Sequence, residues 1–508
     1  MRLNILFGGS AGTGPNILTH ILGEALVKQG YFVFYSRDYQ SLIRGGHNFN
    51  VLTFSDKSVH SNDKKIDIMI ALDENTEKIH LAKLKKNGII LKGKKENMYF
   101  AGALFKVLGL DFKILENELK KLKKRFKENL ENSKKGFKEE KRIVKILGTK
   151  KNNSYFMNGN QGISQGAIKS GLDIYYAYPM TPATSVLREL AQKQIKNNFL
   201  VLELENEIAV INSAIGSAIT GAKSMVGTSG GGFDLMTEGL SLTGIAEVPL
   251  VIFLSQRPGP GTGVATYTAQ GDLNIARHSG HGEFQRIVLA PGNPKEAEEL
   301  TNQAFYFSQK YKIPCIVLSD KHLGESFYTL TENAKIVASE KNTILKKFNS
   351  YEKDLEGSAT ENPEIIKKNI ESRKKKYKKI VEDAKKFEQY KIHGKKNSKN
   401  IIVSWGSTSG AILDSIKDLD CKFLQVLYIE PFSKEIKKEL ENKNIILIEN
   451  NSTGQLGNLI REKTGIEIKN KILRYDGRPF LADELEYEIG LKLRSKKMDK
   501  LIREKISV

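Results

Sequence analysis

Short apolar runs alternate with stretches of helical period along most of this chain, and the runs repeatedly break into loops of glycine, proline, serine and threonine. Over the first 130 residues the pattern predicts strands at 3–7, 32–35, 66–71 and 88–91 and a helix at 16–29. Leu119, Leu122, Phe126 and Leu130 fall on one face of a helix that closes this region. From residue 154 to about 326 the alternation resumes. Strands are expected at 174–177, 199–204, 225–229, 249–255, 287–290 and 314–319, with a helix at 294–308. Another helix starts near Asn206 and carries Ile208, Ile211, Ile215 and Ile219 on its core side. Residues 327–399 are dense in lysine and glutamate and predict a poorly packed connector, after which apolar runs at 401–404, 423–429 and 445–448 restart the pattern. Alternating strands and helices argue for an α/β fold. Three doubly wound domains are expected, at 1–150, 151–330 and 400–508, with a charged connector at 331–399.

The loops carry the candidate chemistry, because an open α/β sheet binds ligands where its strands end. Tyr178-Pro179-Met180-Thr181-Pro182 follows one strand, Glu205-Asn206-Glu207 the next, and Gly230-Gly231-Gly232 a third. Arg257 then opens a long glycine-rich loop that closes at Gln270-Gly271-Asp272. Thr181 before Pro182 reads as a helix cap and first helical residue, with Leu187 and Leu190 on the buried face beyond. The first glycine loop, Gly8 to Gly14, matches neither the dinucleotide nor the phosphate-loop spacing, so Asp38 reads first as a strand-end turn residue.

Composition narrows the picture. A net charge of +21 invites a polyanion, but runs at 120–150 and 373–399 hold much of it and no nucleic-acid module accompanies them. Two cysteines, Cys315 and Cys421, fall short of the roughly four thiolates of an iron–sulfur cluster, and no metal ligand set is expected on this chain. The longest apolar run, 242–254, is too short for the roughly 20 residues of a membrane helix. No charged and apolar leader opens the sequence, and the expected setting is the cytoplasm, with no membrane association.

Taken together, these loops resemble the alpha subunit of 2-oxoacid:ferredoxin (acceptor) oxidoreductases, in the form with a gamma domain fused ahead of it. The Tyr-Pro-Ile-Thr-Pro motif of that family is matched at Tyr178–Pro182, with Met180 for isoleucine. Its helix-opening glutamate is matched by Glu207, its Thr-Ser-Gly loop by Thr228-Ser229-Gly230, and its Leu-Met-Thr-Glu-Gly by residues 235–239. The arginine loop matches from Arg257 to Thr266 and continues into Gln270-Gly271-Asp272-Leu273 and Gly280-His281-Gly282. Arg44-Gly45-Gly46 is similar to the gamma domain, and Gly454-Gln455-Leu456 to a transketolase-type C-terminal domain. Gly261 and Ala265 depart from the serine and proline usual in the arginine loop.

The resemblance implies oxidative decarboxylation of a 2-oxoacid with thiamine diphosphate, electrons passing through iron–sulfur clusters to ferredoxin and an acyl-coenzyme A being released. It makes Glu207 the acid that activates the aminopyrimidine ring, Arg257 the anchor of the substrate carboxylate, and Thr181 and Thr266 hydroxyl donors to substrate. Tyr178, Pro179, Glu207 and Gly230 border the cofactor. No Gly-Asp-Gly motif with a following asparagine is present, so the diphosphate, Mg²⁺ and at least one [4Fe-4S] cluster are expected on a beta subunit. The expected assembly is a heterodimer or a dimer of heterodimers. Two other readings stay open: a non-catalytic regulatory subunit with a degenerate site, and a thiamine-dependent decarboxylase component that does not use ferredoxin. The motifs leave open whether the 2-oxoacid is pyruvate, 2-oxoglutarate, or a branched-chain or aryl acid.

Overall fold

The computed structural model describes residues 1–40, 45–122, 125–144, 146, 154–341 and 349–493. Arg44 of the motif named above lies outside them, as do parts of the first basic run, residues 342–348 of the connector, and 494–508. Among the described residues, two seven-stranded sheets and one five-stranded sheet are layered with helices.

The second sheet builds the candidate site. Its order is Tyr428–Glu430, Ile287–Leu289, Pro314–Asp320, Leu250–Gln256, Ser224–Thr228, Ile174–Ala177 and Leu200–Glu203. All neighbours are parallel except Tyr428–Glu430, which runs antiparallel to Ile287–Leu289. Strands such as Leu250–Gln256 and Pro314–Asp320 are buried along their whole length, as parallel strands covered on both faces must be. One apolar cluster fills each face, around Ile211, Phe233 and Ile252 on one side and around Val186, Phe253 and Phe305 on the other. Strand order reverses at Ile174–Ala177: the chain goes first to Leu200–Glu203 on one side, then to Ser224–Thr228 on the other. Such a reversal opens a crevice at the carboxyl ends of the strands.

The first sheet is mixed. His47–Ser55 runs antiparallel to both Arg2–Ser10 and Phe32–Asp38, a strand that the apolar pattern did not mark. Asn48 and Asn50 interrupt its hydrophobic face; Asn50 is buried and donates to Asn16 at 2.9 Å and Thr19 at 3.0 Å. The sheet is completed by Phe327–Leu330 and Tyr155–Asn158, which come from the segment assigned by pattern to the second unit. In place of one closing helix, Phe112–Lys121 and Phe126–Glu139 flank Arg125, whose φ is 51°.

The third sheet is parallel but for Tyr390–Gly394, which pairs antiparallel with Lys422–Val426 at one edge. The expected connector holds a 22-residue helix, Pro363–Ala384, capped by Asn362, which accepts from Glu364 N at 2.9 Å. Its exposed lysines give the charged pattern, while Ile380 and Ala384 are buried in the core of the second sheet. Asp383 accepts from Tyr306 at 2.8 Å, Lys310 at 2.7 Å and Tyr311 at 2.9 Å, and these donors hold its carboxyl well below the usual carboxylate range against the opposing cost of burial. No helix among the described residues is long and apolar enough to cross a membrane.

Candidate active site

Four loops leave the carboxyl edge of the second sheet, and each carries one of the quoted motifs. After Ile174–Ala177 the chain turns through Tyr178, which is 40 % exposed, and the exposed Pro179. Thr181-Pro182 is a cis peptide, and the helix begins only at Thr184 with no side-chain cap. The expected capping role of Thr181 is therefore not seen, because the chain makes another turn before the helix starts. Leu187 and Leu190 do lie on its buried face.

After Leu200–Glu203, Asn206 caps the helix Glu207–Ile219 by accepting from Ala209 N at 2.9 Å. A cap holds the first helical residue in a fixed direction. Glu207 is 3 % exposed, whereas Glu205 is exposed. Ile211 and Ile215 are buried as expected, but Ile208 is 51 % exposed and stands at the mouth of the crevice. Oε1 of Glu207 is buried and has no hydrogen-bond partner.

Ser224–Thr228 leads through Ser229 straight into the short helix Gly230–Leu235, so the expected glycine loop is the first turn of a helix. A methyl group on Gly232 would stand 2.1 Å from Thr228 Oγ1 and 2.4 Å from Glu207 Oε1, so these two oxygens converge on bare backbone. Only glycine leaves room for both oxygens against the backbone there. Gly230 is crowded differently, since a methyl there would stand 2.8 Å from Asp272 Oδ2.

Leu250–Gln256 ends at Arg257, whose Nη1 donates to the carbonyl oxygen of Thr181 at 2.8 Å. That bond uses one of five guanidinium donors and aims the group across the crevice towards the Tyr178 loop. Burial lowers the pKa of Arg257, and Asp272 opposes the shift. Thr266 is buried in the same loop. Asp272 itself has its pKa raised to about 6 by burial and by Asp234, against the pull of Arg257. Glu207, Thr181, Arg257 and Gly230 thus share one sheet edge.

Gln270, quoted in the same motif as Asp272, has a different place. It is fully buried, donating from Nε2 to Trp405 O at 2.8 Å and accepting at Oε1 from Thr408 at 2.8 Å and Asn450 N at 2.9 Å. It clasps the second sheet to the third. Farther along, Tyr267 and Thr268 line a separate cavity of about 290 Å³ with Arg37, Asp38, Lys83, Lys321 and Arg478. This cavity lies between all three units and does not include Glu207 or Arg257.

Asp272 and Thr228 stand in motifs quoted above, but the sequence carried no signal for where their side chains lie. Their importance comes from closeness to Gly230 and Gly232 in space, which no local pattern records.

Residues 165–397 match the family model described as pyruvate flavodoxin/ferredoxin oxidoreductase, thiamine diP-binding. Residues 4–96 match that described as pyruvate ferredoxin/flavodoxin oxidoreductase. The chain is 30% identical to the 2-oxoacid:ferredoxin oxidoreductase subunit alpha of a Sulfolobus species, over 96% of each chain. It is 29% identical to the 2-oxoglutarate synthase subunit KorA of Methanocaldococcus jannaschii, over 58% of this chain and 88% of that one. In fold it is similar to a 2-oxoglutarate:ferredoxin oxidoreductase from Magnetococcus marinus, solved with 2-oxoglutarate, coenzyme A and succinyl-CoA bound. The TM-score is 0.87 at 22% identity, covering 97% of this chain and 99% of that one.

Proposed function

Because this chain belongs to the family of 2-oxoacid:ferredoxin oxidoreductase alpha subunits, we propose that its second sheet presents the aminopyrimidine half of a thiamine diphosphate site and that Glu207 is the activating acid. The observation that carries this reading is the unpartnered, buried Oε1 of Glu207 above the bare backbone of Gly232. A buried carboxyl oxygen left without a hydrogen bond costs about 1–3 kcal/mol. A ring nitrogen of the aminopyrimidine, held by this oxygen, would relieve that cost, and the carboxyl would give or take a proton there. When bound, thiamine diphosphate supplies the electron sink for decarboxylation.

Arg257 anchors the substrate carboxylate, its remaining N–H groups offering the paired donors that a carboxylate accepts. Thr181 and Thr266 add hydroxyls, and Tyr178, Pro179 and Gly230 border the cofactor. In the assembled enzyme the reaction is oxidative decarboxylation of a 2-oxoacid to an acyl-coenzyme A, with ferredoxin taking the electrons. Coenzyme A bound in the Magnetococcus marinus enzyme supports that co-substrate here.

A beta subunit supplies the diphosphate site, Mg²⁺ and at least one [4Fe-4S] cluster. Both cysteines of this chain are buried and single. Around the crevice Tyr178, Leu202, Ile208, Leu235 and Val264 are each at least 40 % exposed, an apolar rim of the kind that a protein partner covers. Leu200–Glu203, at the edge of the sheet, continues that rim.

Glu207→Gln, co-expressed with the beta subunit, tests the assignment. Coenzyme-A-dependent dye reduction with a 2-oxoacid is expected to fall by about 10²–10⁴-fold while the complex still assembles. An unchanged rate would favour a regulatory role for this chain.

A further inference from the structure

Asp272 has no task in the reading above, yet its carboxyl lies inside the same crevice. It precedes the helix Leu273–His278, where an aspartate ordinarily caps by accepting backbone N–H bonds, and its side chain accepts none there. It turns instead towards Gly230, whose added methyl would meet Oδ2 at 2.8 Å and Oδ1 at 3.3 Å. Oδ2 is buried without a hydrogen-bond partner.

This orientation is built in from both sides. The N–H of Asp272 donates to Gln256 Oε1 at 2.9 Å, and Gln256 Nε2 donates in turn to Ser319 O at 3.0 Å. One residue earlier, Gly271 O accepts from Gln455 Nε2 at 2.8 Å. The charged groups acting on Asp272 are Arg257, just past the strand Leu250–Gln256, and Asp234, on the helix Gly230–Leu235. From the third unit the neutral Gln455 bonds residues on either side of it, Gly271 O and Asn274 N.

We propose that Asp272 is a positioning residue that sets how much of the Arg257 charge is free for the substrate carboxylate. In its acid form it leaves the guanidinium to the substrate, and as a carboxylate it competes for it and repels the substrate anion. The proposal rests on Arg257 being the substrate anchor. A buried carboxyl oxygen that accepts no hydrogen bond, with the substrate anion brought into the same crevice, favours the protonated form of Asp272. Burial and Asp234 keep that proton on Asp272 up to about pH 6. A 2-oxoacid carboxylate stays ionised throughout this range, so substrate affinity falls as pH rises through the Asp272 transition.

The test uses the complex with its beta subunit and reads KM and kcat for a turned-over 2-oxoacid between pH 5 and 8. The wild-type KM is expected to rise about fivefold across the transition, the size of one screened charge interaction. Asp272→Asn should give a low KM with no such slope and little change in kcat, and Asp272→Glu should restore a slope. Should Asp272→Asn fail to assemble, Asp234→Asn, at an exposed position, should move the midpoint of the slope to lower pH. A wild-type slope retained in Asp272→Asn, or an unmoved midpoint in Asp234→Asn, overturns the proposal. Arg257→Lys separates the two readings: a raised KM keeps the anchor while Asp272 is judged by its own variants, and an unchanged KM removes the anchor and this proposal with it.

Discussion

Two carboxylates in this chain show how the same side chain is used in opposite ways. Asp383 is surrounded by phenol and ammonium donors and sits well below the usual carboxylate range. Asp272, aimed at a glycine and near another aspartate, is pushed up to about 6. The folded-state pKa of Asp272 therefore lies above its unfolded value. Its stabilising contribution is full below the unfolded value, near 4, and is lost as pH rises through about 6. Asp272→Asn is thus expected to stabilise the chain at pH 8 by on the order of 2 kcal/mol and to change little near pH 4. Thermal melts at the two pH values check this; equal shifts at both would mean that the carboxylate is not strained by ionisation. Function at this position would then be maintained against stability, as active sites often are.

At the scale of elements, one very close contact lies away from the site. The helices Asn97–Leu108 and Phe126–Glu139 cross where Gly102 and Gly136 let their backbones touch. A methyl on Gly136 would stand 2.0 Å from Tyr99 O, and one on Gly102 1.9 Å from Ser133 O. Gly136→Ala must push the helices apart and is expected to destabilise the first unit by about 1–3 kcal/mol. Hydrogen exchange should show the loss in these two helices and leave Glu207–Ile219 unchanged. The sequence showed apolar residues on both helices but not the break at Arg125, because the pattern runs through it with continuous helical spacing. His47–Ser55 was missed for the converse reason: its buried Asn50 is satisfied by Asn16 and Thr19, partners that hydrophobic period ignores. The strand ends of the second sheet were legible, since the apolar runs stop at polar turns, several of them rich in glycine, proline or serine. Those turns put Glu207, Thr181, Arg257 and Gly230 on one edge. The helix start after Thr181 and the orientation of Asp272 were not legible, because both depend on chain paths set by distant segments.

Across the whole molecule, Gln270 is one of the points where the second and third units are fastened, besides the strand Tyr428–Glu430 in the second sheet. Besides its side-chain bonds, its N–H donates to Asn450 O at 2.7 Å and its carbonyl accepts from Asn451 Nδ2 at 3.0 Å. Gln270→Ala would leave Trp405 O, the Thr408 hydroxyl and the Asn450 N–H without this partner in a buried seam, at about 1–3 kcal/mol for each group left unsatisfied. The expected outcome is earlier protease cleavage within residues 400–493, with the first sheet still resistant. Cleavage at the wild-type rate would show that the seam is held elsewhere.

The two strands that finish the first sheet, Tyr155–Asn158 and Phe327–Leu330, have a consequence for how this protein is made. As the chain leaves the ribosome, Phe32–Asp38 waits as an open edge until residue 330 has emerged. The second sheet likewise lacks Tyr428–Glu430 until nearly the whole chain is out. Open edges recruit other strands, so synthesis passes through a long interval in which nascent chains are exposed to one another. A gene divided after residue 150 would make that interval permanent for the first piece.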